Sequence, residues 1–347
     1  MSETETKFFN IDQIPEPEDL RNIIYSMIAI PHLSPVTIFS EFASAAIDSK
    51  LVGKEDLSAA GIFQIDEGGN YLSQIIYADY KRLAVDPFVA AQILVAKAAR
   101  RLVCYGIEPV AMSATLNNVD FANPLAEEMA MASRLGLKAA ATAFNLQFPN
   151  WKIFYDNSNS EGAVPPSLIV SLVGRLKSST KELAPGLQRK GLNILLIGRS
   201  FNDISASEYL DNFHEIKDWP LMHFNLGFES KLIVTMKELI RNNLIVSASP
   251  VGIGGLFFTL LRDALPNELG FDITTDAEVR TDAFLFGEGM GRIVVTVEED
   301  KENEFVDFLF DHKIPVMTLG HVTKGEIRID DKSYGFVDKG IVGEFMD

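Results

Sequence analysis

The spacing of apolar and polar positions predicts a chain that mixes helices with strands. Apolar residues three and four apart are typical of amphipathic helices, whereas short apolar or alternating runs between turn residues are typical of strands. Helices are predicted at 17–30, 36–47, 87–104, 125–144, 205–213, 228–243, from about 254, and at 301–311. Strands are predicted at 60–65, 71–78, 109–116, 167–173, 192–198, 244–248, 292–297, 314–322 and 326–330. This alternation predicts the α/β (α+β) class.

The length of the chain predicts two domains. At 347 residues it exceeds the size at which a single hydrophobic core usually stops growing. A loop rich in Ser, Asn, Gly and Pro at 156–166 separates the two halves. We therefore predict an N-terminal domain over 1–165 and a C-terminal domain over 166–347.

Composition and charge limit which kinds of partner and which cellular compartment are expected for this protein. The 48 acidic residues outnumber the 31 basic ones and give a formal charge of −17, which disfavours nucleic-acid binding. The stretch 244–261 has no charged residue, but Pro250 and three glycines argue against a membrane span. A lone cysteine, Cys104, excludes an intrachain disulfide and is interpreted as a core residue. With no secretory signal pattern at residue 1 onwards, we predict a cytoplasmic protein without nucleic-acid or membrane partners.

Few residues stand out as carriers of chemistry. The sequence has no phosphate-binding loop ending in Gly-Lys-Ser/Thr, no His-Glu-x-x-His and no Gly-x-Ser-x-Gly. The five histidines are scattered, so a metal would be held by oxygen ligands, which suits magnesium. The glycine groups at 252–255 and 287–291 either bring backbone N–H groups to a phosphate or form tight turns.

Several segments in one order resemble a known family across nearly the whole chain. They are 79–82 (Asp-Tyr-Lys-Arg), 86–87 (Asp-Pro), 106–109 (Gly-Ile-Glu-Pro), 115–117 (Thr-Leu-Asn) with 123–124 (Asn-Pro), 154–157 (Phe-Tyr-Asp-Asn) with 165–170 (Pro-Pro-Ser-Leu-Ile-Val), 206–210 (Ala-Ser-Glu-Tyr-Leu), 247–248 (Ser-Ala) with 254–256 (Gly-Gly-Leu), and 285–292 (Leu-Phe-Gly-Glu-Gly-Met-Gly-Arg). This set resembles the ATP-dependent aminoimidazole ribonucleotide synthetase superfamily, and within it the second synthetase-like half of phosphoribosylformylglycinamidine synthase.

The resemblance implies a fold and an activity. It implies an N-terminal sheet that pairs with a second copy across a dimer, a C-terminal α/β sandwich, and ATP with magnesium in the cleft between them. It also implies ATP-dependent amidation of formylglycinamide ribonucleotide in purine biosynthesis, with ammonia from a separate glutaminase partner. The residues that it assigns to magnesium are Asp79 and Asp86. Those that it assigns to the nucleotide are Asp79, Arg82, Asn117, Glu208, Gly254, Gly255, Glu288 and Arg292. No catalytic residue is assigned.

Most of the assigned residues also have a structural interpretation. Asp86 before Pro87 fits a helix cap, and Asn117 fits a turn. Glu208 fits a solvated helix face. Glu288 and Arg292 fit a structural pair on either side of two glycines.

The chain departs from the family at acidic positions. Ser58 stands where the family has Asp, and 249–253 reads Ser-Pro-Val-Gly-Ile where the family has His-Asp-Val-Ser-Asp. These departures predict weak or absent binding of Mg-ATP and an inactive isolated chain. A non-catalytic scaffold of the same fold and an aminoimidazole ribonucleotide synthetase (cyclo-ligase) remain as alternatives. The apolar strand at 71–77 would be exposed in a monomer, so a homodimer or a heterodimer with a related chain is predicted.

Overall fold

The computed structural model describes residues 11–34, 62–64, 70–120, 123–155, 164–177, 183–184, 186–217 and 220–337. The helices are α1 (Leu20–Ile28), α2 (Lys81–Val85), α3 (Pro87–Cys104), α4 (Ala126–Ala143), α5 (Leu226–Arg241), α6 (Gly255–Ala264), α7 (Thr281–Phe286) and α8 (Glu302–Asp311). The helix predicted at 36–47 lies outside the described residues, as does Ser58.

The first half of the chain forms a sheet with the strand order β1-β2-β5-β3-β4. Its strands are β1 (Ile62–Gln64), β2 (Tyr71–Asp79), β3 (Glu108–Asn117), β4 (Gln147–Ile153) and β5 (Ser167–Leu176). Neighbours are antiparallel except for β3 and β4, which are parallel. Side chains alternate along β5, so that Val170 and Leu172 are buried while Ser171 between them is half-buried. One face of this sheet is therefore covered and the other is open.

Helix α3 lies at the centre of the molecule and contacts both halves. Asp86 accepts hydrogen bonds from the backbone N–H groups of Phe88 and Val89, and Pro87 occupies the first turn, as the sequence predicts. The helix packs on β2 and α4 in the first half and on α5 in the second. It is buried nearly all round because its many alanines let these elements approach closely. Cys104 is fully buried in its last turn, which confirms the core interpretation.

The second half forms a sheet with the strand order β12-β11-β8-β10-β6-β9-β7. Its strands are β6 (Asn193–Ile197), β7 (Ser247–Pro250), β8 (Gly270–Ile273), β9 (Ile293–Val297), β10 (Val316–Thr323), β11 (Glu326–Ile329) and β12 (Lys332–Phe336). Only the β8–β11 pair is parallel among these described strands. Gly198 after β6 has φ +97°, and an added Cβ would lie 2.0 Å from the carbonyl oxygen of Gly291. Glycine is required there because two backbone segments approach each other.

Residues 11–34 pack against the second half of the chain, although they precede the first sheet. Arg280 Nη1 donates to the carbonyl oxygens of Ile11 and Ile14, both at 2.8 Å. Helix α1, which confirms the amphipathic prediction, buries its apolar face on the short π-helical turn Tyr209–Phe213. Further contacts join the same regions: Arg21 Nη2 donates to the carbonyl oxygen of Ser333 at 3.1 Å, and Glu16 Oε1 accepts from the backbone N–H of Thr281 at 3.1 Å.

Two expectations are corrected by the topology. The boundary predicted between residues 165 and 166 assigns β5 to the C-terminal domain, whereas β5 is the middle strand of the first sheet and pairs with both β2 and β3. The division between the sheets falls after Leu176. The helix predicted at 205–213 is reduced to the five-residue π-helical turn at Tyr209–Phe213. In the part of the chain that is described, no helix is both long and apolar enough to cross a membrane.

Candidate ligand site at the domain junction

The end of β2 brings together two of the residues that the sequence singles out. Asp79 Oδ1 accepts from the backbone N–H of Arg82 at 2.8 Å, and Asp79 Oδ2 accepts from Arg82 Nη1 at 2.6 Å. Arg82 Nη2 donates to the carbonyl oxygen of Ala206 in the second half at 2.9 Å. The pair therefore joins the two domains, and both carboxylate oxygens of Asp79 are already engaged.

Glu288 occupies the middle of the junction. Its Oε1 accepts from the backbone N–H of Glu208 at 2.9 Å and from that of Gly254 at 3.0 Å. Its Oε2 lies 3.8 Å from Arg82 Nη2. Burial raises the pKa of Glu288, and Lys97, Arg82 and the two backbone donors oppose that rise. Glu288 thus accepts from the backbone N–H of Gly254, one of the groups that the sequence offers as a donor to a phosphate.

Two cations of α3 complete the cluster and were not predicted from the sequence. Arg100 is 1% exposed, and its Nε lies 3.3 Å from Oε2 of Glu229 on α5. Lys97, one turn earlier, is partly buried, and burial followed by repulsion from Arg82 lowers its pKa to about 7. The only signal for them in the sequence is that the Ala-rich, largely apolar helix carries three basic residues close together, at 97, 100 and 101.

Arg292 is enclosed by main-chain atoms. Arg292 is 2% exposed, and its guanidinium donates to the carbonyl oxygens of Phe284, Gly287 and Gly289 and to Ser200 Oγ. Burial lowers its pKa to about 10. These contacts hold the turn at 287–291 in place and favour the structural interpretation of Arg292. The partners of its guanidinium are backbone carbonyl groups and not Glu288, which the sequence suggested. Its role in nucleotide binding stays a prediction.

The remaining predicted residues lie at the edges of this cluster or away from it. Glu208 Oε2 accepts from Asn212 Nδ2 at 2.6 Å and lies 3.3 Å from Nε2 of His32. Asn117 ends β3, where its amide donates to Thr115 Oγ1 at 3.4 Å. Gly255 has φ +76° at the start of α6. Of the eight residues predicted to bind nucleotide, five meet at the junction through side chain or backbone, namely Asp79, Arg82, Glu208, Gly254 and Glu288.

The described residues do not provide a magnesium site. Among them no group of three or more His, Cys, Asp or Glu side chains is arranged to hold a metal ion. Asp79 is paired with Arg82, and Asp86 caps α3 with Oδ1. Magnesium normally takes one or two free carboxylates plus substrate phosphates. The two predicted ligands therefore do not fit this ion in their present contacts.

Replacement of Asp86 distinguishes a cap from a metal ligand. We expect Asp86→Ala to lower the free energy of unfolding by about 1 kcal/mol, whereas Asp86→Asn stays within about 0.5 kcal/mol of wild type because Asn is an equally good cap. Urea unfolding with and without magnesium chloride measures both. A magnesium-dependent gain in stability that Asp86→Asn abolishes would contradict the cap assignment.

Comparison with known proteins shows what this chain is similar to in sequence and fold. A family model described as AIR synthase related protein, C-terminal domain, matches residues 192–332. The phosphoribosylformylglycinamidine synthase subunit PurL of Alkaliphilus metalliredigens is 26% identical over 326 residues, which cover 94% of this chain and 44% of that relative. The chain thus spans less than half the length of the curated relative that it matches.

Solved structures share the fold. PurL of T. maritima complexed with FGAR superposes with a TM-score of 0.72 at 14% identity, covering 92% of this chain and 52% of that one. The same protein complexed with ATP gives 0.66 at 14% identity, covering 90% and 54%. AaThiL complexed with AMPPCP and TMP gives 0.60 at 13% identity, covering 87% of this chain and 94% of that one.

The two sheets joined by α3 and the match over residues 192–332 make the chain similar to AIR synthase-related proteins. Among the proteins it matches, its similarity to PurL extends over both halves of the chain. The predicted fold class is thereby confirmed. The assignment to the second synthetase-like half stays a prediction.

Proposed function

We propose that this chain is a phosphoribosylformylglycinamidine synthase-type module of purine biosynthesis that works as one subunit of a larger assembly and has lost most of its own ligase activity. The family match and the PurL-like fold support the pathway. The observation that carries the second part is the contact of Glu288 Oε1 with the N–H of Gly254. A carboxylate there competes with a nucleotide phosphate for the same donor and repels it.

The residues at the junction are better suited to holding the two domains together than to phosphoryl transfer. Transfer requires donors and a cation aimed at the phosphates. Here Arg82 contacts Asp79 and Ala206, and Arg292 contacts backbone carbonyls. If ATP binds, Lys97 and Arg82 are the cations that remain nearest to the cleft, so we expect weak affinity.

The partner that we propose is a second synthetase-like sheet, in a homodimer or a heterodimer. The open face of the first sheet presents Ile76, which is 60% exposed, beside Ser171 and Ser113 on the neighbouring strands. A large exposed apolar side chain among small polar ones on a flat strand surface favours sheet-to-sheet packing. A glutaminase that supplies ammonia is proposed as a further partner of the assembly.

Calorimetry with Mg-ATP and an ADP-release assay test the proposed function. We expect affinity weaker than about 100 μM, and no ADP release above background when formylglycinamide ribonucleotide and ammonia are added to the isolated chain. Addition of a partner synthetase-like chain should restore turnover.

Micromolar binding together with substrate-dependent ADP release by the isolated chain would overturn the proposed loss of activity and restore the self-sufficient enzyme. Glu288→Gln is the informative variant, because it removes the negative charge and keeps the side-chain oxygen. If Glu288 excludes the nucleotide, this variant should bind Mg-ATP at least about tenfold more tightly than wild type.

A further inference from the structure

Helix α4 has an inner and an outer side. The inner side is buried and packs on α3, and Gly136 lets the two helices approach so closely that an added Cβ would lie 2.2 Å from the carbonyl oxygen of Phe88. The outer side is a stripe of residues that are alternately three and four apart, which is the spacing of a seam between two helices. All positions of this stripe are exposed, and they are Glu128, Met131, Leu135, Lys138 and Thr142.

The middle of the outer stripe is apolar. Met131 is 59% exposed and Leu135 is 52% exposed, and the two side chains lie one helical turn apart on the same face. Phe88, in the first turn of α3, is a third exposed apolar side chain, close to where α3 contacts α4 at Gly136. Single exposed apolar residues are ordinary on a protein surface, whereas a group of them bordered by charges marks contact with another protein.

The charges beside this apolar middle are divided between the two ends of the helix. Glu127 and Glu128 lie in its first turn, and Arg134 and Lys138 lie nearer its C-terminal end. Within the part of the chain that the structure describes, none of these four side chains forms an ion pair. Glu127 and Lys138 are about 16 Å apart along the helix axis, so they cannot pair with each other.

We propose that the outer side of α4 is a self-association surface, on which a second copy of this chain binds with its own α4 antiparallel. In the register that places Met131 against Leu135 of the second copy, the two-fold axis repeats the same contact in reverse. The acidic end of each helix then lies against the basic end of the other, so that Glu127 meets Lys138 of the second copy on either side of an apolar centre. A parallel pair would instead bring like charges together, and a partner of one charge sign would match only one end.

This surface is separate from the open face of the first sheet. Helix α4 packs on α3 and β4, and α3 lies on the covered face of that sheet. A chain that associates through both surfaces therefore forms an assembly larger than a dimer. The surface on α4 does not depend on the proposed function, since it requires neither a nucleotide nor pairing of the sheets.

Sedimentation velocity tests the surface in a chain that carries Ile76→Glu, which prevents association through the open sheet face. Between about 1 and about 100 μM we expect a reversible equilibrium between one and two copies, because a single helix pair makes a small and weak interface. Leu135→Glu should weaken this association at least about tenfold. Val234→Glu, at an exposed apolar position of α5, is the matched control and should leave it unchanged. Circular dichroism checks that each variant is folded.

Reversal of charge identifies the second copy as the occupant. Glu127→Lys and Lys138→Glu should each weaken self-association about tenfold, because each substitution brings like charges together twice in a two-fold pair. An equimolar mixture of these two variants should associate as tightly as the parent chain, and the double variant should self-associate again, since opposite charges meet in both. A parent chain that stays monomeric at about 100 μM, association that Leu135→Glu leaves intact, or single variants that do not rescue each other in the mixture would each overturn the proposal.

Discussion

Replacement of Asp282 by alanine is expected to lower the free energy of unfolding by about 3–5 kcal/mol, because it leaves charged and polar partners buried without a counterpart. Asp282 is fully buried at the start of α7. Its Oδ2 accepts from Arg280 Nη2 at 2.7 Å and from the hydroxyl of Tyr209 at 3.0 Å. Burial, and then the Asp282 carboxylate, raise the pKa of Tyr209.

The same substitution should release the N-terminal segment. Arg280 reaches Ile11 and Ile14 while it is held by Asp282 through Nε and Nη2. Without the carboxylate the guanidinium loses its fixed orientation, so amide hydrogen exchange across α1 should accelerate before global unfolding does.

Urea unfolding and hydrogen exchange measure these two effects. Asp307→Ala on the exposed face of α8 is the matched control and should change stability by less than about 0.5 kcal/mol. Tyr209→Phe isolates the hydroxyl and should cost about 1 kcal/mol. If Asp282→Ala were no more destabilising than Asp307→Ala, the network would have no role in fixing the N-terminal segment.

Elements with strong periodicity or a clear cap could be predicted from the sequence. Helix α3 has the bounds that Asp86-Pro87 and Gly106 predict, and α1 and β2 lie where their apolar spacing places them. Strand β4 was missed because it is a half-exposed edge strand interrupted by Pro149 and so lacks an apolar run. Strand β12, at the other sheet's edge, was missed for a similar reason.

The predicted domain boundary is wrong because the order of segments along the chain does not show which strands are neighbours in a sheet. The loop at 156–166 looks like a linker, but it connects β4 at the edge of the first sheet to β5 in its middle. Long-range pairing of β5 with β2 and β3 is set by the apolar face that these strands share against α3, and no local signal marks it.

The candidate site was predicted in part. Motif order identified Asp79, Arg82, Glu208 and Glu288, which the fold brings together from segments far apart in the chain. The partners of those residues could not be predicted, because a carboxylate that accepts from Gly254 and one that binds an external cation look identical in sequence. Lys97 and Arg100 were overlooked for the converse reason, since charges on a helix are usually solvated.

The stability of the Lys97→Met variant should exceed that of wild type, and the gain should depend on pH. The pKa of Lys97 is lowered from 10.5 to about 7 in the folded protein, by burial first and then by Arg82. Below about pH 7 both the folded and the unfolded chain carry the charge, so the full cost of burying it opposes folding. Between about pH 7 and pH 10.5, Lys97 is neutral in the folded chain but still protonated in the unfolded chain. Because the unfolded chain then binds one proton more than the folded chain, the stability of wild type rises with pH in this range.

Urea unfolding in chloride buffers without phosphate or sulfate measures this difference. Near pH 6 we expect Lys97→Met to raise the free energy of unfolding by roughly 2–4 kcal/mol, allowing for the partial exposure of the side chain, and the gain should shrink toward zero near pH 10. Lys152→Met, at an exposed position of β4, is the matched control and should show no such trend. A gain that is the same at every pH would mean that Lys97 is not desolvated and that better packing of methionine explains the effect. A gain that fades as the pH rises toward about 10 would show that burial of the charged ammonium group is what opposes folding in wild type.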